Sequence, residues 1–501
     1  MRLAVLIAAA LVCLGCGERE NRAPGSAGSP EVLDQALSLD DSAEPAHRPA
    51  AVPEFRLRLD PGTHAVDARM ELDVPEPSPL HLLFRTEWEG YPGLETRLQR
   101  LEAWGPAGAM PVEKVPEGLG PGHYLVQLEQ PGRVTIAYTI ALTPDGESRH
   151  YHRVSQLATD GGHLIGNDLL PRVWLGSPRA GPQPARLWFA GMPGNWRVVT
   201  VEPRAGTGYD VKEISSAVFV VGPLRTQRFN IGPRSLTAAI YGRWPVRDER
   251  VVDAVNRIAG GLHRIAAAGW VPGDYVLAAG RVPADVPGLS TGGQVIGHSG
   301  IVFVGGSGPA ELEFRHWMYT TAHELMHWYI PTAFDFEDAP PSWFAEGFTD
   351  YMALKILLVG GLIEWREFLD EIGARFARYR ASPLYGTSIA EAQEDFWDED
   401  AYRYIYDGGA AAAFLLDLGF QDRGGSLERV LREVASRDRL TTEDLTTALA
   451  AVRENGWIGD WLATGANPDW EARFAPYGLA WRKDTLTSLN DWASDALSSI
   501  R

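Results

Sequence analysis

His323-Glu324-Leu325-Met326-His327 is followed, after eighteen intervening residues, by Glu346 within Ser342-Trp343-Phe344-Ala345-Glu346-Gly347-Phe348-Thr349-Asp350-Tyr351. The first run lies in a segment, 309–330, that reads as one helix, with Pro309 suited to its first turn and Pro331 to stopping it. Residues four apart on a helix are turned by about 40° and separated by roughly 6 Å along the axis, so both imidazoles can face one ion. Pro340, Pro341 and Ser342 suit the start of a second helix with Ser342 as its N-cap, which puts Glu346 in the first turns. Two neutral imidazoles and a carboxylate leave a zinc coordination position open for water, and that open position separates a catalytic site from a structural one. Glu324 projects beside the first imidazole, where it is expected to take a proton from that water. Asp350, one helical turn beyond Glu346, is expected to accept a hydrogen bond from the far nitrogen of a ligand histidine.

Composition narrows the function classes. A chain of 501 residues, 45% of them hydrophobic, can bury a large core and has room for about two to four domains. The net charge of −19 and the lack of any Lys/Arg run argue against nucleic acid as a partner. Only two cysteines occur, Cys13 and Cys16, both in the first apolar segment, so the expected folded body has no disulfide, thiolate metal site or cysteine nucleophile. Arg2 followed by the apolar run 3–14 is too short for a lasting membrane span and suits a signal peptide over 1–16, which implies export. The end of the run, Leu14-Gly15-Cys16-Gly17, resembles the lipobox of bacterial lipoproteins, although Cys13 stands where Leu is usual. That resemblance implies a cell-envelope protein held at a membrane by lipid on Cys16, with plain secretion as the alternative. Residues 17–50, rich in Gly, Pro, Ser, Ala and Glu, read as a disordered tether.

Over 51–235, short strand-like runs at 55–59, 67–74, 123–128, 133–142, 186–189 and 196–201 are separated by Pro and Gly turns. They predict an antiparallel β-sandwich. Over 236–330 the pattern is mixed, with strands at 237–241, 275–279 and 301–304 and a helix over about 248–268. Helices dominate 331–490, which leaves 491–501 as a tail. The expected fold class is multidomain α+β, with an N-terminal antiparallel β-sandwich, a mixed α/β catalytic region and a C-terminal α-helical region.

The metal-ligand pattern, with Glu in a Trp-Phe-x-Glu-Gly-x-Thr-x-Tyr context, resembles the gluzincin metallopeptidases and, more narrowly, the glycyl aminopeptidase family. Tyr406-Asp407-Gly408-Gly409-Ala410, then Phe414-Leu415-Leu416-Asp417-Leu418 and Gly424-Gly425-Ser426-Leu427, resemble that family's segment around its active-site tyrosine. Asn167-Asp168-Leu169-Leu170-Pro171 and Pro193-Gly194-Asn195-Trp196 resemble pieces of its β-domain, so the similarity covers most of 130–480. It implies a thermolysin-like catalytic region, one Zn2+ per chain on His323, His327 and Glu346, and a peptide or protein substrate. It also implies Tyr406 as hydrogen-bond donor to the oxyanion, with Tyr404 as the fallback. Gly292-Gly293-Gln294-Val295-Ile296-Gly297-His298-Ser299 is similar to a Gly-Gly-x-x-His-x-x-Ser run of that family with altered spacing. Gly292, Gly293 and His298 are therefore candidate substrate contacts on a sheet edge where a peptide would lie antiparallel. Gly408 departs from the pattern, since Lys commonly follows the Tyr-Asp pair, and too few residues follow about 480 for the PDZ domain such enzymes often append.

Ser299 and Ser307 sit among glycines but fail the Gly-x-Ser-x-Gly elbow of a serine hydrolase, because Ile301 and Pro309 take its last position. The expected activity is zinc-dependent peptide-bond hydrolysis, read as that of an aminopeptidase, with exo- against endopeptidase action left open. The alternative is a catalytically inactive envelope protein that keeps the fold for binding; such a loss usually leaves a gap in the ligand set, and none is visible. Oligomeric state is not legible.

Overall fold

The computed structural model describes residues 52–88, 91–142, 153–267, 273–281, 289–306, 308–482, 485–490 and 492–498. The signal peptide expected over 1–16, with Cys16, and the tether expected over 17–50 lie outside the described residues, as does Ser307. The protein is a mixed α+β chain in which β-sheets come first and helices follow.

Strands Glu54–Asp60 and Ala65–Val74 alternate buried and exposed residues, the mark of a sheet with one packed face. They lie at the centre of an eight-stranded sheet, and two four-stranded sheets contribute Leu80, Leu82, Leu164 and Phe219 to the same core as Phe55, Met70 and Tyr138. Pairing in this β unit is antiparallel, as expected, except that Glu54–Asp60 runs parallel to Ala185–Ala190.

A separate five-stranded sheet runs in the order Arg225–Ile231, Arg234–Ile240, Tyr275–Arg281, Ser299–Gly306, Leu289–Ile296. Its first strand precedes residue 236, so the sheet crosses the division expected at 235; Arg225–Ile231 is a mostly exposed strand with no apolar alternation to reveal it. The two inner pairs are parallel, and Tyr275–Arg281 and Ser299–Gly306 are buried almost without a break. Burial on both faces explains why these strands read as continuous apolar runs. One face packs on helix Asp248–Ala266 and the motif helix Ala310–Met326, through Leu277, Val302, Val255, Leu262 and Leu325. The other packs on the β unit, where Val276, Ala278 and Ile301 meet Ile165, Val218 and Val220. Leu289–Ile296 pairs on one side only and is the edge of the sheet.

The helical region is centred on Glu399–Asp422, which is buried on nearly every face from Tyr404 to Phe420. The stretch expected as a tail is corrected in part: Trp492–Ser498 is helical, and Ala493 and Leu497, four residues apart, are buried in the main core. No helix among the described residues is long and apolar enough to cross a membrane.

Candidate metal centre

The motif helix ends at Met326 rather than Ile330, and the reason lies in the site. Past Met326 the chain tightens into turns, with His327, Trp328 and Tyr329 each donating to the carbonyl three residues back. This turns the Ile330 carbonyl inward, where it accepts a hydrogen bond from His327 Nδ1 at 3.0 Å. Ser342 is not the side-chain cap expected of it. Its backbone is already helical, and the turn opens at Pro341, whose carbonyl accepts from Phe344 and Ala345. Residues Trp343–Phe348 then form a π-helical turn holding Glu346, a wide geometry that recurs at functional sites.

His323 Nδ1 lies 3.0 Å from Asp350 Oδ1. Burial works against charge on Asp350, but Arg375, 2.7 Å away, and His323 hold its carboxyl well below the usual carboxylate range. A carbonyl and a carboxylate can only accept, so both histidines carry a hydrogen on Nδ1 and Nε2 is left to face inward. The two Nε2 atoms are 3.1 Å apart, and they lie 3.4 and 3.5 Å from Glu346 Oε2. All three side chains are buried. The donor set fits zinc. Ligands roughly 2.0–2.1 Å from a tetrahedral ion are about 3.3–3.4 Å from one another, close to the triangle observed. Glu346 Oε1 is buried with no hydrogen-bond partner, a cost that a cation would remove. Without an ion, a proton must separate these acceptors. Burial opposes charge on His323, yet its hydrogen bonds to Asp350 and Glu346 raise its pKa to about 10. Burial likewise opposes ionisation of Glu346, but His327 and His323 hold its pKa at about 2.

Glu324 is fully buried between the motif helix and the edge strand. A Cβ on Gly293 would stand 2.4 Å from Glu324 Cγ and 2.8 Å from its Oε1, so glycine is what lets the strand approach this carboxylate. Gly292 precedes it on the same strand. His298 does not join them: it lies in the turn closing the edge hairpin and stacks on Tyr275 at 5.0 Å.

Tyr406 donates to Glu346 Oε2 and stacks on His323 with 6.0 Å between ring centroids. Burial raises the phenol well above its ordinary pKa, so it stays a donor. Tyr404, the fallback, points elsewhere and donates to the Thr387 carbonyl at 2.8 Å. Two glycines set this geometry. A Cβ on Gly347 would lie 2.5 Å from Gly409 Cα, so the π-helical turn and the Tyr406 helix touch backbone to backbone. Gly408 packs beneath the Tyr379 ring, where a Cβ would meet carbon at 2.6 Å, and a lysine has no room there.

Several residues around the site leave little or no signal in the sequence. Arg375 holds Asp350 and also pairs with Glu371 at 3.0 Å, while Arg378 pairs with Asp407 next to Tyr406. Tyr402 lies against Tyr406 at 4.3 Å between centroids. The i,i+4 spacing of Glu371 and Arg375 was the one available signal, and it reads equally as a surface pair.

No protein-family model matches the chain, and no curated protein matches it in sequence. Among solved structures, an aminopeptidase N family protein from Idiomarina loihiensis superposes with a TM-score of 0.67 at 16% identity, covering 86% of this chain and 79% of that one. An M1 zinc metallopeptidase from Deinococcus radiodurans, as a variant bound to a Tyr-Ser-Ala substrate, gives a TM-score of 0.47 at 15% identity over 84% and 95% of the chains. The first likeness shows a shared fold.

Proposed function

We propose that this protein is a zinc-dependent metallopeptidase, acting as an aminopeptidase of the cell envelope. The observation that carries the reading is the convergence of His323 Nε2, His327 Nε2 and Glu346 Oε2 on a triangle of zinc dimensions, with Glu324 and Tyr406 beside it. The fold shared with an aminopeptidase N family protein supports it.

Zinc held there would supply Lewis acidity toward a carbonyl and lower the pKa of water. The chain does the rest. Asp350 and the Ile330 carbonyl orient the imidazoles, and Arg375 orients Asp350. Glu324 takes the proton from the attacking water and passes it to the leaving amine. Tyr406, which now donates to Glu346, is the phenol placed to donate to the oxyanion. The edge strand at Gly292 and Gly293 offers backbone for an extended peptide.

Export and lipid attachment at Cys16 belong to the same proposal and rest on the apolar run and lipobox-like end. Elemental analysis of the purified chain together with digestion of a peptide library tests the reading. About one zinc per chain with products shortened one residue at a time supports it. Zinc without any cleavage would overturn it in favour of a binding role.

A further inference from the structure

Trp397 is the most exposed tryptophan among the described residues, at 57%. A lone exposed apolar side chain is ordinary, and what sets this one apart is where it stands. It leads into the helix that carries Tyr406, which Asp398 caps by accepting from the Asp400 and Ala401 backbone at 3.0 and 3.3 Å. The preceding residues are tied to the turn that carries Glu346, because the Gln393 side chain accepts from the Ser342 backbone at 3.0 Å. The indole therefore stands on a segment anchored to the two elements that supply Glu346 and Tyr406.

A row of rings joins it to the candidate metal centre. Tyr406, stacked on His323, has Tyr402 at 4.3 Å and Phe396 at 6.5 Å between centroids, and Phe396 lies 5.2 Å from Trp397. Exposure rises along the row, from 1% at His323 and 6% at Tyr406, through half-buried Tyr402 and Phe396, to the open indole. The row is one apolar wall with an end at the candidate ligands and an end in solvent. Charge around the indole is mixed. The Arg153 guanidinium of the β unit lies 6.0 Å from the ring centroid. Glu394, Asp395, Asp398, Glu399 and Asp400 flank the ring in the sequence, with Asp398 engaged as the cap and Glu399 paired with Arg403 at 2.6 Å. Those carboxylates disfavour an anionic ligand, and Arg153 already meets the ring as a cation would. What the wall adds for a ligand is apolar, polarisable surface.

We propose that Trp397, with Phe396 and Tyr402, forms a specificity subsite for an aromatic or other large apolar side chain of the substrate. The proposal rests on the peptidase reading above. Trp397 is two ring contacts from Tyr406, a span that about two to four residues of extended peptide cover. A peptide whose scissile carbonyl lies at Tyr406 therefore brings a nearby side chain to the indole. The wall is held in place before the peptide arrives, so a ring laid on it gains contact with little ordering cost. Such ring contacts are worth about three- to tenfold in discrimination against a small side chain.

The test uses the zinc-loaded full chain and alanine pentapeptides in which one position at a time carries Phe, Lys or Glu. Cleavage is read as the ratio of kcat/KM for each peptide to that of the alanine parent. Binding of the same peptides to Glu324→Gln protein is read by calorimetry, independently of turnover. The expected result is a preference for Phe over Ala of about three- to tenfold at one position, falling to about one in Trp397→Ala and retained in Trp397→Phe. A merely structural role would lower both rates together and leave their ratio unmoved. A wild-type chain that treats Phe and Ala alike at every position overturns the subsite, as does a Phe preference that survives in Trp397→Ala. A preference for Lys or Glu that Trp397→Ala abolishes overturns it too, as does failure of every peptide to bind. A chain that binds Phe peptides selectively through Trp397 but cleaves nothing would overturn the peptidase reading and leave the subsite standing.

Discussion

Glu324 and Glu346 are both buried carboxylates, yet their neighbours assign them different work. Glu346 is ringed by two imidazoles and a phenol, while Glu324 leans on the backbone of Gly293. Glu324→Gln should keep zinc and lose roughly 10²- to 10⁴-fold in kcat, as measured by peptide turnover alongside metal content. Glu346→Ala should lose the zinc itself. Tyr406→Phe should keep zinc and lower kcat by about 10²- to 10³-fold, whereas Tyr404→Phe, which breaks hydrogen bonds to the Thr387 carbonyl and the Tyr379 hydroxyl and none at the metal ligands, should cost far less. The residues legible in the sequence were those whose relation is local. Helical spacing alone sets His323 against His327, and Glu346 against Asp350. Tyr406 was legible only through resemblance to a family, because the sixty residues separating it from Glu346 carry no geometric rule. Arg375 was illegible for the same reason, since it acts through a partner distant in sequence.

The π-helical turn Trp343–Phe348 and the helix Glu399–Asp422 form the joint that sets the Glu346–Tyr406 contact. Gly409→Ala would drive a methyl to 2.6 Å from the Trp343 carbonyl, so the joint must open. Overpacking of this kind costs about 1–3 kcal/mol. Thermal denaturation should show that loss, and kcat should fall with it because Tyr406 moves away. The helix Trp365–Ala381 reaches the candidate metal ligand His323 at one remove, through Arg375 and Asp350. Arg375→Met would leave Asp350 a buried charge with the His323 N–H in place of a full cation, and zinc affinity should fall by roughly 10- to 100-fold in a competition titration. Strands and helices themselves were readable from periodicity, but their ends were not. The motif helix stops at Met326 because His327 needs the Ile330 carbonyl, a demand of the site that no propensity encodes.

Across the whole molecule, the parallel strands of the five-stranded sheet are covered on one face by helices and on the other by the β unit. That double cover made them legible as unbroken apolar runs. Arg225–Ile231, exposed and without alternation, was not legible as part of the sheet. The buried charges tie metal binding to pH. His323, with its pKa raised to about 10 when no ion is bound, must give up a proton to ligate. Apparent zinc affinity should therefore climb by about tenfold per pH unit between roughly 6 and 9, and level off above 10. In the zinc-free protein the same proton stabilises the fold. Its contribution is complete below the ordinary histidine pKa of about 6.5 and is lost as pH rises through about 10. Glu346 acts in the opposite sense: its contribution is present above about 4.5 and is lost as pH falls toward about 2. Chelation at neutral pH should lower the melting temperature, because an ion held by three side chains that only the fold brings together would stabilise the folded chain alone. Anomalous diffraction at the zinc edge, from crystals of the full chain, bears most directly on the centre. A single peak bonded to His323 Nε2, His327 Nε2 and Glu346 at roughly 2.0–2.2 Å is expected. A zinc-soaked crystal with no peak between these three side chains would contradict it.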